Sequence, residues 1–270
     1  MSQLTQRVLA AVPLLAGLLL VLFLAPVWVA ALVAGVVIVL GAWEWSAFLG
    51  WQLPRWRAAY AGALALLLVA ASWLVPAVIA LEAVLYLALL WWVLALAWIL
   101  CYPTPVPPVV AVVAGALVLV PAWLALVAIL GVPGRGPALA LVALGTIFAA
   151  DIGAYFAGRR FGRVRLAPQV SPGKTWEGLF GGFLLATLTS VAGGLLVGMP
   201  PASMVPVGLG VAALSVVGDL TESMFKRSVG AKDSGHLIPG HGGVLDRLDS
   251  ITAALPLFAL ALSWLGLIAG

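Results

Sequence analysis

Apolar residues run almost unbroken through nine stretches of this chain, separated by short segments rich in Pro, Gly and charge. The stretches fall at 8–24, 27–49, 58–74, 77–100, 107–130, 137–157, 177–198, 204–223 and 250–269. Most match the ~20 apolar residues that an α-helix needs to cross the hydrocarbon layer. Their apolar character is continuous rather than alternating, which argues against a transmembrane β-barrel. The pattern therefore predicts an all-α fold, a polytopic membrane helix bundle of about nine transmembrane helices. Pro54, the run Pro103 to Pro108, Gly131 to Pro137, and Pro200 with Pro201 punctuate the connections. The join at Ala25 and Pro26 leaves almost no loop.

Composition sharpens this picture. Charged residues make up only 8% of the 270 positions, apolar residues 64%, and the mean hydropathy is +1.22. A soluble domain carries about 25% charged residues because its surface meets water, so most of this surface must meet lipid. With a cytoplasmic N-terminus, nine spans place 12 of the 13 Lys and Arg residues inside and only Arg135 outside. That asymmetry is what membrane orientation requires, and a wrong span count would scatter the charges. The net charge of +4 is thus an orientation signal, and no nucleic-acid partner is expected. The basic start and apolar centre of Arg7 to Leu24 resemble a secretory leader, but the stretch reads as the first span. Trp51, Trp56, Trp98, Trp176 and Trp264 fall near span ends, where interfacial anchoring is the expected role. Cys101 is the single cysteine, so no disulfide forms within the chain.

Polar chemistry is unevenly placed. Residues 1–140 hold six charged groups and residues 141–270 hold sixteen, which divides the chain into an N-terminal hydrophobic scaffold and a C-terminal catalytic region. Three stretches carry the polar residues: Asp151 to Arg163, leaving the sixth span; Ser171-Pro-Gly-Lys-Thr-Trp-Glu-Gly, entering the seventh; and Asp219 to Asp249. Carboxylates within membrane segments are costly and mark function. Here Asp151, Glu177, Asp219, Asp246 and Asp249 lie at one depth on the cytoplasmic face. A transporter, the alternative from another class, gathers its ionisable groups near the midplane. Asp219, Glu222, Ser223 and Lys226 share one helical face by their spacing. Gly240, Gly242 and Gly243 leave backbone N–H groups open to phosphate oxygens. Acids set among Lys and Arg suit Mg²⁺ with a polyphosphate: the acids hold the cation and the basic groups neutralise the remaining charge.

The run from Ser223 to Asp249, SMFKRSVGAKDSGHLIPGHGGVLDRLD, resembles the signature of the phosphatidate cytidylyltransferases, the CDP-diacylglycerol synthases. Asp151 to Tyr155 and Ser171 to Gly178 resemble the same family, so the likeness covers about residues 145–255. His236 stands where a small polar residue such as Asn is expected, which leaves its role open. The resemblance implies transfer of the cytidylyl group from CTP to phosphatidic acid, with Mg²⁺, and more than one cation, as cofactor. It also implies a homodimer; three lysines against ten arginines point to a GC-rich bacterial genome, and so to a bacterial inner membrane. Asp219 and Asp246 are the implied metal ligands. Lys226, Lys232 and Asp249 join them as catalytic candidates. Substrate contacts are expected from Ser171, Lys174, Thr175, Ser223, Arg227, Asp233, His241, Gly242, Gly243 and Arg247. The CDP-alcohol phosphotransferases are a poorer match, because their Asp-Gly and paired-Asp pattern is missing.

Other polar residues have plainer readings. Glu44 and Glu82 are expected to snorkel or bond locally near span ends. Asp151 either caps helices, pairs with Arg159, or joins the site. Glu177 suits the first turn of a helix through the helix dipole. The cluster from Arg159 to Arg165 reads as an orientation signal that also attracts anionic lipid.

Overall fold

The computed structural model describes residues 3–51, 53–235, 237 and 242–268. Among these, nine α-helices follow in order: α1 (Gln3–Leu24), α2 (Val27–Trp45), α3 (Pro54–Ala77), α4 (Leu81–Leu100), α5 (Pro108–Leu130), α6 (Gly136–Phe161), α7 (Trp176–Leu196), α8 (Pro201–Ser228) and α9 (Leu245–Trp264). By length and composition, α2 to α8 can each cross a membrane. The first turns of α9 carry Asp246, Arg247 and Asp249, which dilute its apolar character. The chain is an all-α integral membrane protein, as the hydrophobic pattern predicts.

The helices overrun the apolar stretches at their polar ends. α6 continues through Arg159 and Arg160, α8 through Lys226 and Arg227, and α9 begins before Asp246. Hydropathy stops at the first charges, whereas the backbone ladder continues wherever side chains find water or partners. One feature is absent from the sequence reading: a small antiparallel hairpin of β1 (Arg165–Ala167) and β2 (Ser171–Thr175). It lies between the sixth and seventh apolar stretches, and it leads straight into α7.

Small residues set the closest helix contacts. A Cβ on Gly181 of α7 would overlap the Cβ of Ala157 on α6, and one on Gly153 would meet the Gly181 carbonyl oxygen. Apolar side chains gain little by leaving lipid for protein, so close backbone packing of this kind drives helix association in membranes. Gly181→Val is accordingly expected to destabilise the protein by about 1–3 kcal/mol through overpacking, read as a lower thermal midpoint in detergent. α9 is central: it packs on α8, α5, α4, α6 and α2, and Ala253, Ala254, Leu255 and Phe258 are buried. Leu66, Trp73, Leu87, Leu90 and Val93 of α3 and α4 are exposed, as lipid-facing residues should be.

Antiparallel alternation brings the C-terminal ends of α2, α6 and α8 together with the N-terminal ends of α7 and α9. An aromatic group braces this end. Trp45 lies 4.9 Å from Phe225 between ring centroids, Trp98 lies 5.8 Å from it, and Phe48 lies 5.4 Å from Trp45. Trp98 thus turns inward, against the expectation of a purely interfacial anchor.

Candidate active site

The first polar cluster lines a cleft of about 420 Å³ between α6, β2, α7 and α8. Asp151, Tyr155, Arg159, Lys174, Thr175 and Asp219 contribute to its walls. Lys174 comes from β2, and its ammonium group lies 2.8 Å from Asp219 Oδ2. The hairpin aims this lysine across the bundle, because β2 pairs Thr175 with Arg165 just before α7 starts. Thr175 is the N-cap of α7: its Oγ1 accepts from the Gly178 N–H at 3.1 Å, satisfying one orphan donor of the first turn. Asp151 accepts a hydrogen bond from Ser250 Oγ at 3.3 Å, which ties α6 to α9. Arg159 donates to Tyr155 Oη at 2.8 Å.

The second cluster lies where α8 meets the start of α9. Lys226 is 9% exposed, and its Nζ lies 2.8 Å from Asp246 Oδ1 and 3.1 Å from Glu222 Oε1. Asp246 also accepts from the Gly243 N–H at 2.8 Å and from the Ser234 N–H at 3.2 Å, both to Oδ2. Gly242 has φ +82°, and a Cβ there would press on Asp246 Oδ2 at 2.9 Å. A side chain at residue 242 is thus excluded by both backbone conformation and space.

No direct contact joins Asp219 to Asp246 among the described residues. They are coupled through two others: Asp249 is within electrostatic reach of Asp219, Asp151 and Lys174, and Glu222 is within reach of Asp249 and Asp246. Glu222 is 3% exposed, and its Oε2 has no hydrogen-bond partner among the described residues. Five carboxylates thus face two ammonium groups. That surplus of hard oxygen donors, with a buried carboxylate oxygen left over, fits a divalent cation. Among the described residues no three acidic or imidazole groups form a ready cage. Mg²⁺ does not require one, since it takes one or two carboxylates and fills its shell with water and substrate phosphates.

The other candidates fall in several places. Ser223 donates to Asp219 Oδ1 at 3.3 Å. Arg227 is exposed and donates to the Ala231 carbonyl. Lys232, Asp233 and Arg247 are exposed beside the second cluster. Ser171 opens β2 opposite Ala167, whereas the residues of the hairpin that line the cleft begin at Leu166 and Gly173. His241, and His236 with it, lie outside the described residues. Glu177 accepts from the Val164 N–H at 3.3 Å, holding the entry to β1 against the start of α7.

Two expectations are corrected. Glu82 is not confined to local bonding, since it accepts from Ser263 Oγ on α9. Glu44 does not snorkel: it is 1% exposed and accepts from the Leu245 N–H at 2.8 Å. Both find partners more than 180 residues away, a pairing that local hydropathy cannot register. Arg159, read as an orientation signal, also lines the cleft. Glu222, which was not among the site candidates, did leave a sequence trace, the i, i+4 spacing to Lys226.

Fold and site define an integral membrane protein whose acids and lysines gather at one end of the helix bundle. A model of the cytidylyltransferase family matches residues 5–265. The chain is 46% identical over 269 residues to a phosphatidate cytidylyltransferase of Pseudomonas aeruginosa, covering 97% of each chain. It is 39% identical over 286 residues to one of Haemophilus influenzae, covering 95% of this chain and 97% of that one. The chain belongs to the cytidylyltransferase family.

Proposed function

We infer that this protein is the enzyme that joins CTP to phosphatidic acid, forming CDP-diacylglycerol and releasing pyrophosphate in phospholipid biosynthesis. The end-to-end similarity to relatives named for that activity carries the reading, and the polar end of the bundle suits the chemistry. A phosphate oxygen of the lipid attacks the α-phosphorus of CTP. The bond from that phosphorus to the β-phosphate oxygen breaks, and pyrophosphate leaves. The attacking group is already anionic, so no protein base is needed. Neutralising and aligning two phosphates that repel each other is the main requirement. Lys174 and Lys226 stand ready for the phosphates, with Arg159 on the cleft wall. Asp219 and Asp246, backed by Asp249 and Glu222, would hold Mg²⁺; when bound, that ion adds positive charge against the phosphate oxygens. A coupled transporter draws no support from the family match.

A second cavity supports the lipid half of the reaction. An apolar groove of about 510 Å³ runs between α4, α7 and α8 beneath the hairpin, lined by Ile99, Leu100, Phe183 and Leu220 among others. It shares Leu166, Leu179 and Val216 with the polar cleft. An amphiphile with an anionic head matches that pairing.

Purified protein is expected to release pyrophosphate from radiolabelled CTP only when phosphatidic acid is present, and to label a lipid product. Pyrophosphate release that ignores phosphatidic acid, or lipid labelling that survives EDTA, contradicts the reading. We further propose that the chemistry is concentrated in residues 141–270 over a scaffold of residues 1–140. The active site faces the cytoplasm of a bacterial inner membrane, and the working unit is a homodimer. Reporter fusions should place the N-terminus inside and Gly270 outside. Both ends on one side would mean an even span count and would undo the orientation.

A further inference from the structure

Glu44 has no role in the chemistry just described, yet it is one of the most thoroughly buried charged groups in the protein. It sits in the last turn of α2, a helix otherwise free of charge. A carboxylate placed there is costly unless hydrogen bonds compensate it. For one oxygen the compensation comes from the polar segment ahead of α9, while Oε1 is buried with no hydrogen-bond partner among the described residues. One oxygen, Oε2, accepts from the Leu245 N–H at 2.8 Å and from Ser234 Oγ at 3.2 Å. Leu245 is the first residue of α9, so Glu44 caps that helix from another helix. Ser234 and Leu245 are the two ends of the segment that carries Gly235, Gly242 and Gly243. Asp246 grips the same segment, accepting from the Ser234 N–H and, two residues short of Leu245, from the Gly243 N–H.

The glycines complete the observation. A Cβ on Gly235 would overlap Glu44 Oε1, and one on Gly243 would meet Glu44 Oε2 at 2.5 Å and overlap Ser234 Oγ. The backbone on both sides therefore closes directly onto the Glu44 carboxylate. Trp45, next in sequence, is fixed by its indole N–H donating to the Ala111 carbonyl at 2.8 Å. Glu44 is thus presented from a rigid platform.

We propose that Glu44 is a positioning residue: it pins both ends of the 234–245 segment and so sets the start of α9, and with it the place of Asp246. The proposal rests on the cytidylyltransferase reading for its consequence in turnover. Its structural half does not depend on that reading. Because one oxygen takes both hydrogen bonds, the role needs an acceptor and not a charge, and a glutamine should fill it.

The test uses the full-length protein in detergent, with two readouts. Hydrogen–deuterium exchange without CTP, lipid or metal should show faster exchange in Glu44→Ala at peptides covering Ser234 and Leu245, with α5 and the middle of α8 unchanged. Turnover in Glu44→Ala should fall about 10–100-fold, the usual cost of losing a group that orients a ligand. Glu44→Gln should keep the protection and stay within about fivefold of the natural turnover, a loss of ~1 kcal/mol. Should Glu44→Ala fail to fold, Glu44→Asp carries the test: one methylene shorter, it should keep the helices and lose the protection. Ser234→Ala should have a smaller effect, and adding it to Glu44→Ala should cost nothing more. Normal protection and turnover in Glu44→Ala overturn the proposal. So does a Glu44→Gln that is protected but inactive, since the charge itself would then be in use. An inactive natural protein with the expected exchange pattern would instead overturn the functional reading alone.

Discussion

Asp219→Asn and Asp246→Asn are expected to insert and fold, Asp246→Asn with a lower thermal midpoint because one amide oxygen cannot serve both Lys226 and the Gly243 N–H, while turnover falls at least about 100-fold. Asparagine is nearly isosteric and still accepts a hydrogen bond, so in Asp246→Asn the side-chain oxygen could keep the Gly243 N–H or the Lys226 ammonium as a partner. It lacks the negative charge that a hard cation demands. The two aspartates stand on different helices with a different lysine each, Lys174 at Asp219 and Lys226 at Asp246. They are nevertheless coupled through Asp249 and Glu222. If they act as one unit, the double variant should be little worse than either single one. Glu82→Gln is the control: Glu82 sits at the start of α4, at the opposite end of the bundle, and its variant should turn over normally. Turnover across a Mg²⁺ titration, with size-exclusion profiles for folding, decides the matter. A folded Asn variant with near-natural turnover at low Mg²⁺ removes that residue from the metal site.

Replacing the two lysines should separate folding from chemistry. Lys226 is enclosed by Glu222 and Asp246, with side-chain exposures of 11%, 3% and 13% in that order. Lys226→Met keeps the length of the stem but leaves two carboxylates facing each other without a cation. Removing one partner of a buried ionic group costs about 3–5 kcal/mol, so this variant should melt markedly lower and lose activity with its fold. Lys174 and Asp219 are 22% and 33% exposed, and water screens their pair. Lys174→Met should change stability by less than about 1 kcal/mol and yet lose turnover, because the cleft loses the ammonium group that meets phosphate. Thermal midpoints and initial rates for both variants provide the comparison. If Lys226→Met melts like the natural protein, the ion-paired cluster is not holding α8 to α9. If Lys174→Met turns over normally, the cleft at Asp219 is not the place where phosphate is met.

The helix count, the membrane class and the gathering of polar side chains at one end were legible in the sequence. Each follows from properties that accumulate along the chain: a run of apolar residues is long enough to span or it is not, and the basic residues fall on one side or scatter. The Ser223 to Asp249 run was legible for another reason, since its polar residues and glycines are close in sequence and their order alone carries the likeness. Tertiary structure decided which charges meet. Nothing in the spacing tells Lys174 to pair with Asp219 and Lys226 with Asp246, because both lysines and the five acids around them gather at one end of the bundle, where several pairings are open. Packing made the choice. The α6–α7 contact at Gly153 and Gly181, and the hairpin ahead of α7, bring Lys174 over α8. The one-turn spacing of Glu222 and Lys226 points the second lysine toward the start of α9. Glu44 shows the limit most clearly. Within α2 it reads as a stray charge near a span end, and its purpose becomes visible only when α9, 201 residues later, closes its first N–H onto that carboxylate.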